Sequence, residues 1–189
     1  MILKTLSELD ALYASPSARA LAKVQSSLGP DHIRFLERSP FYAVATSGAE
    51  GLDCSPRGDP PGNVVVLNPG KIALPNRPGN RRHDSLRNLL EDPRIALLFF
   101  IPGIGETLRI IGRAELHVDA DLAARFEEQG HHPKVVLVIH IEQVYHHCSK
   151  AFMRSRIWDT SSHDAGFERI SKTDPESYRP SLYQEAPKD

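Results

Sequence analysis

The sequence predicts a mainly β protein with flanking helices (α+β), its strands wrapped into a closed or nearly closed antiparallel barrel. Three observations carry this. Six or seven short β-rich segments follow one another between Phe41 and His147. Strong turn signals separate them, among them Gly48–Gly51, Asn68-Pro69-Gly70 and Pro102-Gly103. Few helical stretches are interleaved, whereas a doubly wound sheet needs a helix between most strands. The 189 residues suffice for one core with additions at each end. The chain divides into a helical segment at 1–40 packed on the barrel, a barrel domain at 41–159 and a polar tail at 160–189.

Residues 7–36 read as helical. Leu9, Leu12 and Tyr13 have i, i+3, i+4 spacing, and so do Leu21, Val24 and Leu28. Ser15-Pro16 and Gly29-Pro30 interrupt the run, Asp31 is placed to cap a further short helix, and Ser39-Pro40 ends it. The period then changes. Phe41–Ser47 alternates as a strand does. The segment 52–63 carries too much Pro and Gly to be regular throughout. Residues 64–68 and 71–75 are short strands around the Asn-Pro-Gly turn. Asp84–Glu91 suits a helix with Leu86, Leu89 and Leu90, stopped by Asp92-Pro93. Residues 94–101 are almost continuously apolar, as in a strand buried on both faces. Residues 106–118 form a long strand in which Gly112 marks a bulge or tight bend. Asp119–Gln129 reads as a helix with Leu122, Ala123 and Phe126 inward, 134–147 as another strand, and 149–158 as a short helix or turn. From Thr160 the chain is rich in Ser, Asp, Pro and Glu, a tail expected to be loosely ordered or draped over a partner subunit.

Net charge is -1. Nothing suggests bulk attraction to nucleic acid or to an anionic membrane, so any anion site is local. No apolar run approaches the ~20 residues that span a bilayer. The first residues carry acids and periodic leucines rather than a signal-peptide pattern, which predicts a cytoplasmic protein. Cys54 and Cys148 do not form a disulfide framework. No HxxxH or CxxC spacing supports a metal site. His146 and His147 point to opposite faces of an extended strand, and one of them is a candidate to line a ligand pocket.

The richest chemistry lies in residues 74–90, LPNRPGNRRHDSLRNLL. The segment follows a strand and leads into a helix. A helix N-terminus offers unpaired N–H groups and the positive end of the dipole. Arg77, Arg81 and Arg82 add planar forks that fit phosphate oxygens, and Asn76, Asn80 and Ser85 add polar groups. Composition alone leaves two readings open, a phosphate site or a solvated basic turn capped by Asp84. The spacing is neither a Walker A nor a Rossmann fingerprint.

Here the chain resembles a known family. SPRGDPPG at 55–62, the run 74–116 and YHHCSKAFMRSRIWD at 145–159 are similar, in order and spacing, to the pyridoxamine 5′-phosphate oxidase-like flavoproteins, and within them to an FMN-dependent PPOX-class subgroup. The resemblance covers roughly residues 30–160. It implies a split β-barrel, FMN as cofactor and a homodimer with the site at the subunit interface. It implies an FMN-dependent oxidoreductase of unassigned substrate, or else a non-catalytic protein that binds or senses flavin, deazaflavin or haem. Residue by residue, it assigns Asn80, Arg81 and Arg82 to the cofactor phosphate, with Asn76 and Arg77 earlier in the turn and Ser85 as a further hydroxyl. Arg57 is the arginine presented to the flavin. Thr107 matches a polar residue that reaches the flavin from the other subunit, where the family commonly has glutamine. In the last segment Lys150, Arg154 and Trp158 would lie along one side of a helix at i, i+4, i+8. There they could reach a phosphate or flavin edge, or instead leave Trp158 as an anchor and the cations solvated. No catalytic residue is assigned.

Overall fold

The computed structural model describes residues 2–79 and 81–162. Seven strands form one antiparallel sheet: β1 (Phe41–Gly48), β2 (Gly51–Gly58), β3 (Val65–Asn68), β4 (Lys71–Pro75), β5 (Arg94–Phe100), β6 (Thr107–His117) and β7 (Val136–His147). Their order is β2-β1-β5-β6-β7-β4-β3. This is the strand content of a split barrel with flanking helices. Six α-helices accompany the strands among the described residues: α1 (Leu6–Asp10), α2 (Ala18–Ala22), α3 (Pro30–Arg38), α4 (Asp84–Glu91), α5 (Ala120–Ala124) and α6 (Lys150–Ser155).

Alternation explains the core. Ile95, Leu97 and Phe99 of β5 point inward with Tyr42 and Val44 of β1 and Leu108 and Ile110 of β6. Phe35 and Leu36 of α3 complete the same cluster. A smaller core joins Ala73, Val136 and Val138 to Phe126. Helix α4 lies against the end of β1. Its Asn88 donates to Thr46 Oγ1 at 3.1 Å. A Cβ at Gly48 would stand 2.4 Å from Asn88 Oδ1, so the close approach requires glycine there.

The bulge expected at Gly112 is present. The β6–β7 register shifts between Ile111 and Gly112, and a Cβ at Gly112 would fall 2.0 Å from the His140 carbonyl oxygen.

Four readings differ from the structure. The segment judged irregular contains β2, which pairs with β1 along its whole length. Its Pro56 is tolerated because β2 is an edge strand, where a missing N–H costs no ladder bond. The helix expected to reach Gln129 stops at Ala124. Left-handed Gln129 and Gly130 then turn the chain, and a Glu128–His131 bridge closes the turn while Phe126 drops into the smaller core. Asp31 does not cap α3. Gly29 holds that position, Pro30 opens the helix, and the Gly29 N–H donates to His32 Nδ1 at 3.1 Å. The apolar stripes of α1 and α2 are uncovered by the barrel: Leu6 of α1 is 78% and Leu21 of α2 61% exposed. This part of the chain meets the barrel where Gln25 bridges Val144. The tail from 163 onward lies outside the described residues.

Candidate functional site

Three elements meet beside the β2 edge of the sheet. Asp53, Ser55 and Arg57 alternate along β2, so all three turn toward the same side. The loop after β4 carries Asn76 to His83. Its start is fixed by the Asn76 N–H, which donates to the Val135 carbonyl at 3.0 Å. Its end is folded tightly: Arg81 and His83 both adopt left-handed backbone, at φ 60 and φ 58. Helix α4 then begins. His83 occupies its cap position without a side-chain cap bond, so the first helical N–H groups are left for another acceptor.

These elements enclose a cleft of about 400 Å³ lined by Arg57, Asn76, Arg77, Arg81 and Ser85, with Asp53 and Asp84. Ser85 Oγ is its hub. It donates to Asp53 Oδ2 at 2.7 Å and accepts from Arg57 Nη2 at 3.1 Å. Ser55 Oγ lies 3.2 Å away. Arg57 is thus aimed into the cleft by a buried serine that is itself oriented by a carboxylate.

Arg77 is held differently. Its Nε donates to Asp59 Oδ2 at 2.7 Å and its Nη1 to the Phe126 carbonyl at 2.8 Å. The pair is largely sequestered, with 15% and 6% of the two side chains exposed. Arg77 therefore ties the loop to the β2 end and to the smaller core.

Five of the sequence-predicted residues come together here: Arg57, Asn76, Arg77, Arg81 and Ser85. Arg82 turns to the neighbouring cavity of about 510 Å³, which it shares with Arg87, Glu91, Asp53 and Asp84. Its Nε is 2.8 Å from Asp84 Oδ2. Asn80 lies outside the described residues. Thr107 is buried, at the start of β6 opposite Phe100 and His147, and does not line the cleft of this chain.

The alignment of Lys150, Arg154 and Trp158 on one helix side is not formed. Helix α6 ends at Ser155, and Arg156, in left-handed conformation at φ 52, turns the chain before Trp158. Trp158 instead donates from Nε1 to the Ile104 carbonyl at 2.9 Å and stacks on Phe152. It anchors the segment, while Lys150 and Arg154 are exposed.

Sequence reasoning missed Asp53, Ser55 and Asp59. The available signal was their period-two spacing around Arg57 in DCSPRGD, hidden by the proline and glycine content. Cys54 and Cys148 are free and exposed. Among the described residues no helix is long and apolar enough to cross a membrane, and no group of three or more His, Cys, Asp or Glu is placed to hold a metal ion.

The profile of the family described as "Pyridoxamine 5'-phosphate oxidase" matches residues 28–148. No curated protein matches the chain. Among solved structures, HupZ of Group A Streptococcus is 16% identical with a TM-score of 0.50, over 62% of this chain and 91% of that one. A second structure of HupZ, carrying a single histidine-to-alanine substitution, is 14% identical with a TM-score of 0.50, over 63% and 98%. A Clostridium acetobutylicum protein related to general stress protein 26, of the pyridoxinephosphate oxidase family, is 16% identical with a TM-score of 0.48, over 62% and 86%. The HupZ likeness is one of fold.

Proposed function

Because the chain belongs to the pyridoxamine 5′-phosphate oxidase family, with residues 28–148 as the matching segment, we propose that its cleft holds the phosphate of FMN and that the protein is an FMN-dependent oxidoreductase. The observation that carries the reading is the convergence of Arg57, Arg81 and the α4 N-terminus on one cleft. Two guanidinium groups and a helix terminus with no capping side chain are the donor set a phosphate needs. Ser85 and Asn76 add polar groups to the same wall. Arg77 shapes the loop from beneath through Asp59. Asn80 and Arg82 complete the turn in this reading.

FMN, when bound, supplies the electron chemistry. The chain's own residues bind and orient it. Arg57 is held at a fixed angle by Ser85, which aims it into the cleft. Residues 41–159 act as the cofactor-binding domain, 1–40 as an appended helical segment and 160–189 as a tail.

The active form is a homodimer. Ala96, Leu98 and Phe100 of β5 alternate with the core positions and lie half-buried on the outer sheet face, beside Ala43 and Ala45 of β1 and Ile111 of β6. Phe41 on the same face is 43% exposed. An apolar outer sheet face of this kind is suited to a second copy. Thr107, with Lys150 and Arg154, then reaches a cofactor held by the other chain. A cytoplasmic location fits this reading, and nucleic acid and membrane have no part in it.

Purified protein is expected to be yellow, with bound-flavin absorption, and to take up added FMN. Arg57→Ala combined with Arg81→Ala should abolish that absorption while leaving the fold intact. A colourless protein that does not take up FMN contradicts the proposal.

A further inference from the structure

Apart from the residues that line the cleft, a second group of cations gathers on β6 and β7. Tyr145 lies on β7, opposite Arg109 of β6. Arg109 Nη1 donates to the Tyr145 hydroxyl at 3.1 Å, with its guanidinium carbon 5.7 Å from the ring centroid. Lys23 arrives from the segment before α3. Its Nζ is 5.3 Å from the same centroid and donates to the His146 carbonyl at 3.1 Å. His147, two residues along the strand, packs its ring 5.0 Å from that of Tyr145.

The cluster lacks negative charge. Among the described residues no carboxylate pairs with Lys23 or Arg109. His147 Nε2 is buried and has no hydrogen-bond partner. Several surface arginines elsewhere do meet an acid: Arg34, Arg82, Arg94, Arg113 and Arg156. Two cations flanking one aromatic ring repel each other, and a buried ring nitrogen without a partner is destabilising. An anion with oxygen acceptors would relieve all of these at once.

We propose that Lys23, Arg109, Tyr145 and His147 form a binding site for an oxyanion, the carboxylate or phosphate group of the small molecule on which the protein acts. The site lies beside Thr107, which pairs with His147 across β6 and β7. Its role as a substrate site rests on the flavin reading above, in which Thr107 reaches a cofactor across the dimer. Its capacity to bind an anion does not. Burial, followed by the charges of Arg109 and Lys23, holds the His147 imidazole below its usual titration range. The ring is therefore neutral near pH 7, and in the tautomer protonated at Nε2 it donates a hydrogen bond to the anion.

The test uses the full chain at constant pH and ionic strength. Inorganic phosphate and, separately, acetate are titrated while the His147 ring signals are followed by NMR, assigned by their loss in His147→Gln. The expected result is a saturable shift, weakened roughly tenfold by Lys23→Gln or Arg109→Met, as loss of one charge-assisted contact gives. Arg57→Met and Arg81→Met should leave it unchanged. A response to phosphate alone identifies a phosphorylated ligand, a response to acetate alone a carboxylate ligand, and both support the site. Absence of a saturable shift, or equal affinity in Lys23→Gln and Arg109→Met, overturns it. Lys23 is exposed, so its substitution is read without disturbing the sheet. FMN uptake measured on the wild-type protein separates the claims: no uptake with the phosphate response intact defeats the flavin reading alone.

Discussion

Asp53 is the residue that most sharpens the account of the cleft. Its carboxylate accepts the Ser85 hydroxyl and borders both cavities. It orients Ser85, and through it Arg57, but it also opposes any phosphate that enters. Asp53→Asn keeps the size and the hydrogen-bonding capacity while removing the charge. Affinity for FMN should rise, by about 1 kcal/mol or roughly fivefold in Kd, as screened repulsion over several ångströms gives. A flavin-fluorescence titration measures it, and weaker binding in the variant would show that the carboxylate serves the ligand. Arg77→Ala leaves the Asp59 carboxylate buried and unpaired, which costs about 3 kcal/mol. Urea unfolding should therefore shift for Arg77→Ala, and an unchanged midpoint would contradict the structural role of the Arg77–Asp59 pair. The sequence showed that arginines cluster in this turn. It did not show which of them commits its guanidinium to the fold, because the partner, Asp59, lies 18 positions away in a segment that looked like loop.

Among the elements, the long and strongly patterned ones were legible and the short ones were not. β5, β6 and α4 lie within about a residue of their expected bounds, because apolar runs and Asp-Pro stops are local signals. β2 was hidden by its edge position, which relaxes the composition rules. α6 ended early because a left-handed residue other than glycine, at Arg156, leaves no mark in composition. The Gly112 bulge makes a firm prediction. Gly112→Ala would drive a methyl group into the His140 carbonyl, a backbone atom that cannot swing away. A loss of about 2–3 kcal/mol in urea unfolding is expected, and an unchanged midpoint would contradict the register assigned to β6 and β7. Helix α3 makes another. Its buried His32 has its titration range lowered by desolvation and then by the neighbouring His146, partly offset by Asp31. The folded state therefore disfavours the protonated ring. Its contribution to stability is complete above the ordinary histidine range and is lost as pH falls through the lowered folded value. Tm should drop between pH 7 and pH 5, and the drop should shrink in His32→Gln. A Tm insensitive to pH over that range in wild type would refute this.

At the scale of the molecule, the fold class was readable because strand count and turn spacing exclude most alternatives. The family followed from three separated segments in the right order, and the match over residues 28–148 agrees. What one sequence conveys poorly is assembly. In the proposed dimer, the uncovered stripes of α1 and α2, the apolar outer face of β1, β5 and β6, and the placing of Thr107 away from its own chain's cleft are the features assigned to surfaces between copies. Light scattering should give twice the mass of the 21.0 kDa chain, and Leu98→Glu should reduce it to that of one chain. A wild-type monomer with full flavin content would remove the interface from the account.

The central claim is that the cleft between β2 and α4 binds a flavin through its phosphate. Comparing FMN with riboflavin, which lacks only that phosphate, tests it most directly. Binding of both to cofactor-free protein is measured by fluorescence, in wild type and in Arg57→Ala/Arg81→Ala. The account predicts that wild type prefers FMN by at least about a hundredfold, the equivalent of two charge-assisted contacts, and that the double variant loses the preference. Equal affinity for the two flavins in wild type, or a preference that survives the double variant, would contradict it.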